Sequence, residues 1–213
     1  MSAASWSLLG VAAALAAVDW WAVWSERSDI RFLTKPAVLT ALIASAMTLD
    51  PADGRIRATM VVGLVLSLVG DVFLLLDERW FVAGLGAFLV GHLAYVVGFQ
   101  FAPTSVAATL VGLAVVVVAV ATVGRRIVTT VASGEHRALT GPVVAYLVVI
   151  SAMVVSAFGT MAAWAIVGAV LFYVSDATLA WNRFVARRRF GPLGVMVTYH
   201  LGQAGLIGWL AWP

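Results

Sequence analysis

The chain has 213 residues, 63% of them apolar and only 11% charged, with a formal net charge of +3 and no cysteine. A soluble domain of this size would lack the polar side chains to cover its surface, so the composition, with a mean hydropathy of +1.04, reads as an integral membrane protein. Without cysteine there is neither a disulfide nor a thiolate metal site, and the small basic excess suits lipid headgroups rather than nucleic acid.

Membrane helices need about 17 to 25 mostly apolar residues. Eight such runs are predicted, at 5–24, 33–49, 58–76, 81–101, 106–123, 139–158, 162–181 and 193–212. The first has no Lys or Arg before it and ends in Asp19 and three tryptophans, so it reads as a span rather than a cleaved leader. None of the runs alternates with the two-residue period of a porin strand. The expectation is therefore all-α: one polytopic domain over 1–213, with eight transmembrane helices in a single bundle. Gly70-Asp71-x-x-Leu74 echoes Ser175-Asp176-x-x-Leu179, and His92 and His200 follow at comparable distances, which would divide the bundle into two parallel four-helix halves.

Charge sets the orientation. Of the 13 Lys and Arg, all but Arg55 and Arg57 fall before or at the start of span two or in the connections after spans three, five and seven, so both termini are expected outside the cytoplasm of a multi-pass cell-membrane protein. Lys35 and Pro36 would open span two, with the proline at a helix start. Trp20, Trp21, Trp24, Trp80 and Trp181 would form the inner aromatic belt, and Trp6, Trp164, Trp209 and Trp212 the outer one. Asp19, Asp71 and Asp176 each precede the inner end of a span by a few residues, about 8 Å of depth at about 1.5 Å per residue. Tyr199, His200 and Gln203 enter span eight from the same side, whereas His92 lies near the middle of span four.

Intramembrane carboxylates are costly, about 2.5 to 3.5 kcal/mol on insertion scales, so they face protein or water. Each could simply bridge neighbouring helices or pair with an interfacial arginine. Asp19, beside Trp20 and Trp21, suits an interfacial anchor. Asp71 continues the helical stripe Gly63, Ser67, which lets a neighbouring helix approach closely. A carboxyl removed from water favours its neutral form, so of two close acids one can hold a proton as general acid while the other stays ionised. That arrangement suits chemistry through an oxocarbenium-like cation. His92 and Tyr95, one turn apart, could relay protons or serve only packing. Zinc would need three or four ligands, for which His92, His200 and the aspartates offer no HExxH-type spacing; no metal or cofactor is expected. Nucleophile elbow, Walker loop and dinucleotide fingerprint are all missing from the sequence.

Lys35-Pro36, Gly70-Asp71, Phe88-x-x-Gly91-His92-x-x-Tyr95, Phe172-x-x-Ser175-Asp176 and Tyr199-x-x-x-Gln203, in this order, resemble the YhhN family of eight-span membrane proteins, the lysoplasmalogenases. The resemblance covers nearly the whole chain and departs at His200, where a second aromatic after Tyr199 would be expected. It implies hydrolysis of the vinyl ether of a lysoplasmalogen taken from the bilayer, giving a fatty aldehyde and glycerophosphocholine or glycerophosphoethanolamine. Under it Asp71, Asp176 and His92 are the catalytic candidates; Tyr95, Tyr199 and Gln203 would orient substrate or water, and Lys35 would meet the phosphate. The competing expectation from the intramembrane acids is a proton-coupled transporter or lipid-translocating protein; a third is an interaction protein without catalysis.

Overall fold

The computed structural model describes residues 2–51 and 53–211, and among these there is helix and no strand. The long helices are α1 (Ala3–Trp24), α2 (Ser28–Met47), α3 (Gly54–Leu75), α4 (Phe81–Phe99), α5 (Val106–Ser133), α6 (Thr140–Gly159), α7 (Ala163–Phe184) and α8 (Gly191–Ala211). Single 3₁₀ turns at Glu78–Trp80 and Arg137–Leu139 lead into α4 and α6. The first seven are long and apolar enough to cross a membrane, which makes this a multi-pass membrane protein. Three helices are capped by the side chain that precedes them: Ser2, Asp53 and Ser105 accept from the backbone N–H groups of Ser5, Arg55 and Ala108. The hydrogen bonds of Arg55 to Asp53 hold that carboxyl below its ordinary range.

The helices pack as antiparallel neighbours, α1 on α2, α3 on α4, α5 on α6 and α7 on α8, and one continuous core draws residues from all of them, from Ala12 through Leu39, Met60, Tyr95, Val116, Met153 and Phe172 to Leu206. The tightest seam is α7 on α8. There a Cβ on Gly168 would lie 2.6 Å from the Leu206 amide nitrogen and 2.9 Å from the Gly202 carbonyl oxygen, so backbone meets backbone. Helix α8 is the central element, with most of its side chains buried, in contrast to α5, whose apolar surface is largely exposed.

Three sequence expectations change. Helix α2 begins at Ser28, so Pro36 lies inside it; the proline lacks the N–H that would reach the Phe32 carbonyl. Helix α5 runs ten residues past the apolar segment through a π turn at Val120–Gly124, which makes Arg125 and Arg126 helical rather than loop residues. Trp209 leaves the outer belt: it is buried against Phe99, ring centroids 5.0 Å apart, because α8 has little lipid-facing surface. Trp6 and Trp164 are exposed as a belt requires, and Trp212 lies outside the described residues.

Candidate active site

The stripe Gly63, Ser67, Asp71 on α3 faces α4, where a Cβ on Gly91 would sit 3.1 Å from the Gly63 carbonyl oxygen. Close approach of these two helices buries Asp71 to 1% exposure. Its charge is met from two other helices. Lys35 Nζ on α2 lies 2.9 Å from Asp71 Oδ1, and the Tyr199 hydroxyl on α8 donates to Oδ2 at 2.8 Å. Lys35 is itself almost wholly buried, so the pair is an internal ion pair with both members committed.

Asp176 on α7 has different company. The Tyr146 hydroxyl on α6 donates to its Oδ2 at 2.5 Å, and His92 Nε2 on α4 faces the same oxygen at 3.8 Å. His92 Nδ1 is 2.6 Å from the Phe88 carbonyl oxygen. A carbonyl only accepts, so Nδ1 carries the hydrogen, and a neutral ring presents the lone pair of Nε2 toward Asp176. A lone pair opposite a carboxylate oxygen is repulsive. At 3.8 Å no hydrogen bond joins the two, and Nε2 has no hydrogen-bond partner among the described residues. Rings enclose the pair: Phe172 lies 4.6 Å from His92 and 5.2 Å from Tyr199 by centroid, and Phe88 meets Tyr199 edge-on at 5.9 Å.

Both acids line one cavity of about 620 Å³. Lys35, Tyr146 and Tyr199 line it beside them, and its walls are apolar, from Leu85 and Phe88 on α4 to Ile127, Leu147 and Ile150 on α5 and α6. The π turn of α5 contributes Val123 and Gly124. At the loop end the lining turns charged, with Arg31, Asp77, Glu78, Arg183 and Arg187. Arg183 there spans the gap between the α3–α4 connection and α7, bonded to Glu78 at 2.5 Å with its guanidinium 3.7 Å from the centre of the Phe81 ring.

The sequence profile of the YhhN family matches residues 30–209. This chain belongs to the YhhN family. A Mycobacterium bovis protein named lysoplasmalogenase is 36% identical over 159 residues, which cover 70% of this chain and 58% of that protein. Mouse lysoplasmalogenase TMEM86B is 34% identical over 155 residues, 68% of this chain and 59% of the mouse protein. The human protein of the same name is 29% identical over 194 residues, 86% of this chain and 76% of its own. The chain thus spans less than three fifths of the length of the first two, and no solved structure matches it.

In this YhhN chain, Asp71, Asp176, Lys35 and Tyr199 come together at the cavity, with His92 directly behind Asp176. Tyr95 and Gln203 do not line it. The Tyr95 hydroxyl donates to Gln203 Oε1 at 2.8 Å, tying α4 to α8 one turn from Tyr199. His200 and Asp19 also lie apart from the lining. His200 Nδ1 accepts from Trp20 Nε1 at 3.1 Å, and Asp19 Oδ1 accepts from Thr34 at 2.8 Å, both tying α1 to its neighbours. The two acids of the internal echo are therefore not equivalent, because the histidine that follows Asp71 serves Asp176 and the one that follows Asp176 serves Trp20. Sequence reasoning missed Tyr146. A lone phenol in the middle of an otherwise apolar run was the available signal.

Proposed function

We propose that this protein is a lysoplasmalogenase-like hydrolase that cleaves the vinyl ether of a single-chain ether phospholipid. The observation that carries the reading is the pair of unlike acids on one largely apolar cavity: Asp71 in an ion pair with Lys35, and Asp176 bonded by the Tyr146 hydroxyl and facing His92, the acid that carries the proton in this reading. Asp176 delivers that proton to the terminal carbon of the O–CH=CH unit, and the electron pair of the double bond forms the new C–H bond. The oxocarbenium ion that results lies near the Asp71 carboxylate, whose negative charge stabilises it in a site of low dielectric. Water adds to the cationic carbon and gives up a proton to the Asp176 carboxylate, which restores the acid. As the hemiacetal breaks its bond to the glycerol oxygen, Asp176 protonates that oxygen and takes the hydroxyl proton in return, releasing a fatty aldehyde and a glycerophospho-base. Tyr199 orients Asp71, Tyr146 and His92 orient Asp176, and Tyr95 with Gln203 braces the helix that carries Tyr199. Lys35 acts through Asp71 in this scheme rather than on the phosphate.

The same reading makes α8 the eighth span and puts the cavity mouth at the inner face of the cell membrane, with both termini on the other side; the excess of arginine at the mouth end supports this. The names of the relatives support the substrate class. The test is aldehyde release from a synthetic lysoplasmalogen by purified protein in detergent. Asp71→Asn and Asp176→Asn should each lower kcat at least about a hundredfold, the general acid alone contributing roughly 10² to 10⁴. Full activity in both variants would refute the assignment.

A further inference from the structure

With Lys35 bound to Asp71, the phosphate of the lipid needs another cation, and a second cavity supplies a place for it. That cavity, of about 870 Å³, lies between the α1–α2 turn and the α7–α8 connection. Its lining includes Arg31, Arg187, Arg188 and Arg189, against Glu26 as the one acid among the described residues. Arg31 and Arg187 line the catalytic cavity as well, so they stand at the neck between the two.

Among the described residues neither of these arginines is in an ion pair. Arg31 is within electrostatic reach of Asp19 but makes no hydrogen bond to it, and its buried Nε has no partner. A guanidinium held half-buried with a free N–H suits a tetrahedral oxyanion. The spacing fits too. Arg31 is four residues before Lys35 on α2, about 6 Å along the axis, and Lys35 contacts Asp71. From a phosphorus through the glycerol to the vinyl ether carbons an extended lipid spans roughly 7 Å, six bonds near 1.5 Å each with tetrahedral angles.

We propose that Arg31 and Arg187 form a phosphate subsite at this neck, holding the phosphodiester of a single-chain ether lipid so that its vinyl ether lies beside Asp71 and Asp176. This rests on the hydrolase reading above and adds the determinant that selects phospholipid over neutral ether lipid. Arg188 and Arg189 widen the positive surface beyond the neck: Arg188 stacks on Trp181, its guanidinium 5.3 Å from the ring centre, and Arg189 on Phe190 at 5.2 Å.

The experiment measures binding, not turnover, in detergent. The probes are a saturated 1-O-alkyl-lysophosphoethanolamine, which cannot be cleaved, the 1-O-alkylglycerol of the same chain length, and glycerol 3-phosphate alone. Wild type should prefer the phospholipid to the alkylglycerol by at least about tenfold in Kd. Arg31→Gln and Arg187→Gln should each reduce that ratio to roughly threefold or less, with Arg31→Lys keeping more of it than Arg31→Gln because the charge survives. Glycerol 3-phosphate should compete weakly. The proposal is overturned if wild type shows no preference, if the glutamine variants keep the full ratio, or if glycerol 3-phosphate binds as tightly as the lipid, which would mark a free-anion site. A protein that releases aldehyde but shows no headgroup preference loses only this subsite; one with the preference and no aldehyde release loses only the reaction.

Discussion

The Lys35–Asp71 ion pair gives the sharpest stability prediction. Both side chains are nearly inaccessible, 5% and 1% exposed, and among the described residues Asp71 has only Tyr199 besides Lys35. Replacing Lys35 by Met therefore strands a carboxylate in the core, at a cost of about 3 to 5 kcal/mol. For a chain of this length each kcal/mol lowers the melting temperature by roughly 2 to 4 °C, so Lys35→Met should melt roughly 6 to 20 °C below wild type in the same detergent. Adding Asp71→Leu removes the stranded charge as well and leaves only the Tyr199 hydroxyl without its acceptor, at about 1 kcal/mol. The double variant should accordingly recover more than half of the loss, and the double-mutant cycle should give a coupling of about 2 kcal/mol or more. Differential scanning fluorimetry or thermal unfolding by circular dichroism reads both. If Lys35→Met melts within about 2 °C of wild type, or if the double variant melts below the single one, Asp71 is not held as a buried anion and the charge-stabilising role assigned to it falls.

Gly168→Ala should cost about 1 to 3 kcal/mol, since its new methyl meets the backbone of α8 rather than a side chain that can swing aside, whereas Gly10→Ala, with open space around it, should be neutral or slightly stabilising; thermal unfolding distinguishes them. His200→Phe leaves Trp20 Nε1 unpaired and should lower stability by about 1 to 3 kcal/mol while aldehyde release by the folded fraction persists; selective loss of activity without loss of stability would place His200 in the reaction instead. The chain has no cysteine, so single cysteines report topology cleanly. In intact cells a membrane-impermeant maleimide should label Asp50→Cys and leave Gly134→Cys unlabelled until the membrane is opened. The reverse pattern would invert the orientation.

Long apolar runs made the helices legible, and loop arginines placed four connections at one end of the chain's zigzag; three of them come together in the structure, where Arg31, Glu78, Arg183 and Arg187 share a cavity rim. Asp71 and Asp176 were legible for the same reason: a charge in an apolar run is expensive enough to demand a purpose. What each acid touches was not. Lys35 reads from sequence as an interfacial cation, yet the early start of α2 at Ser28 carries it a further turn and a half inward, against Asp71. His92 could have served either acid; only the packing of α4 on α6 sends its ring to Asp176 beside Tyr146. Trp209 and Gln203 read as boundary and pocket residues, and the central position of α8 makes both of them core.

The cavity's two-sided character bears on what happens after the bond is cut. Under the proposed reaction an alkyl tail would rest among Leu85, Leu147 and Ile150 and a polar fragment under Arg31 and Arg187, in the apolar and the charged parts of one cavity. Once severed, such an oily half would partition into the hydrocarbon and the water-soluble half would leave through the charged rim. Separation into two phases would add to the unfavourable dehydration that rebuilding a vinyl ether requires, so turnover would run in one direction without any coupled energy source.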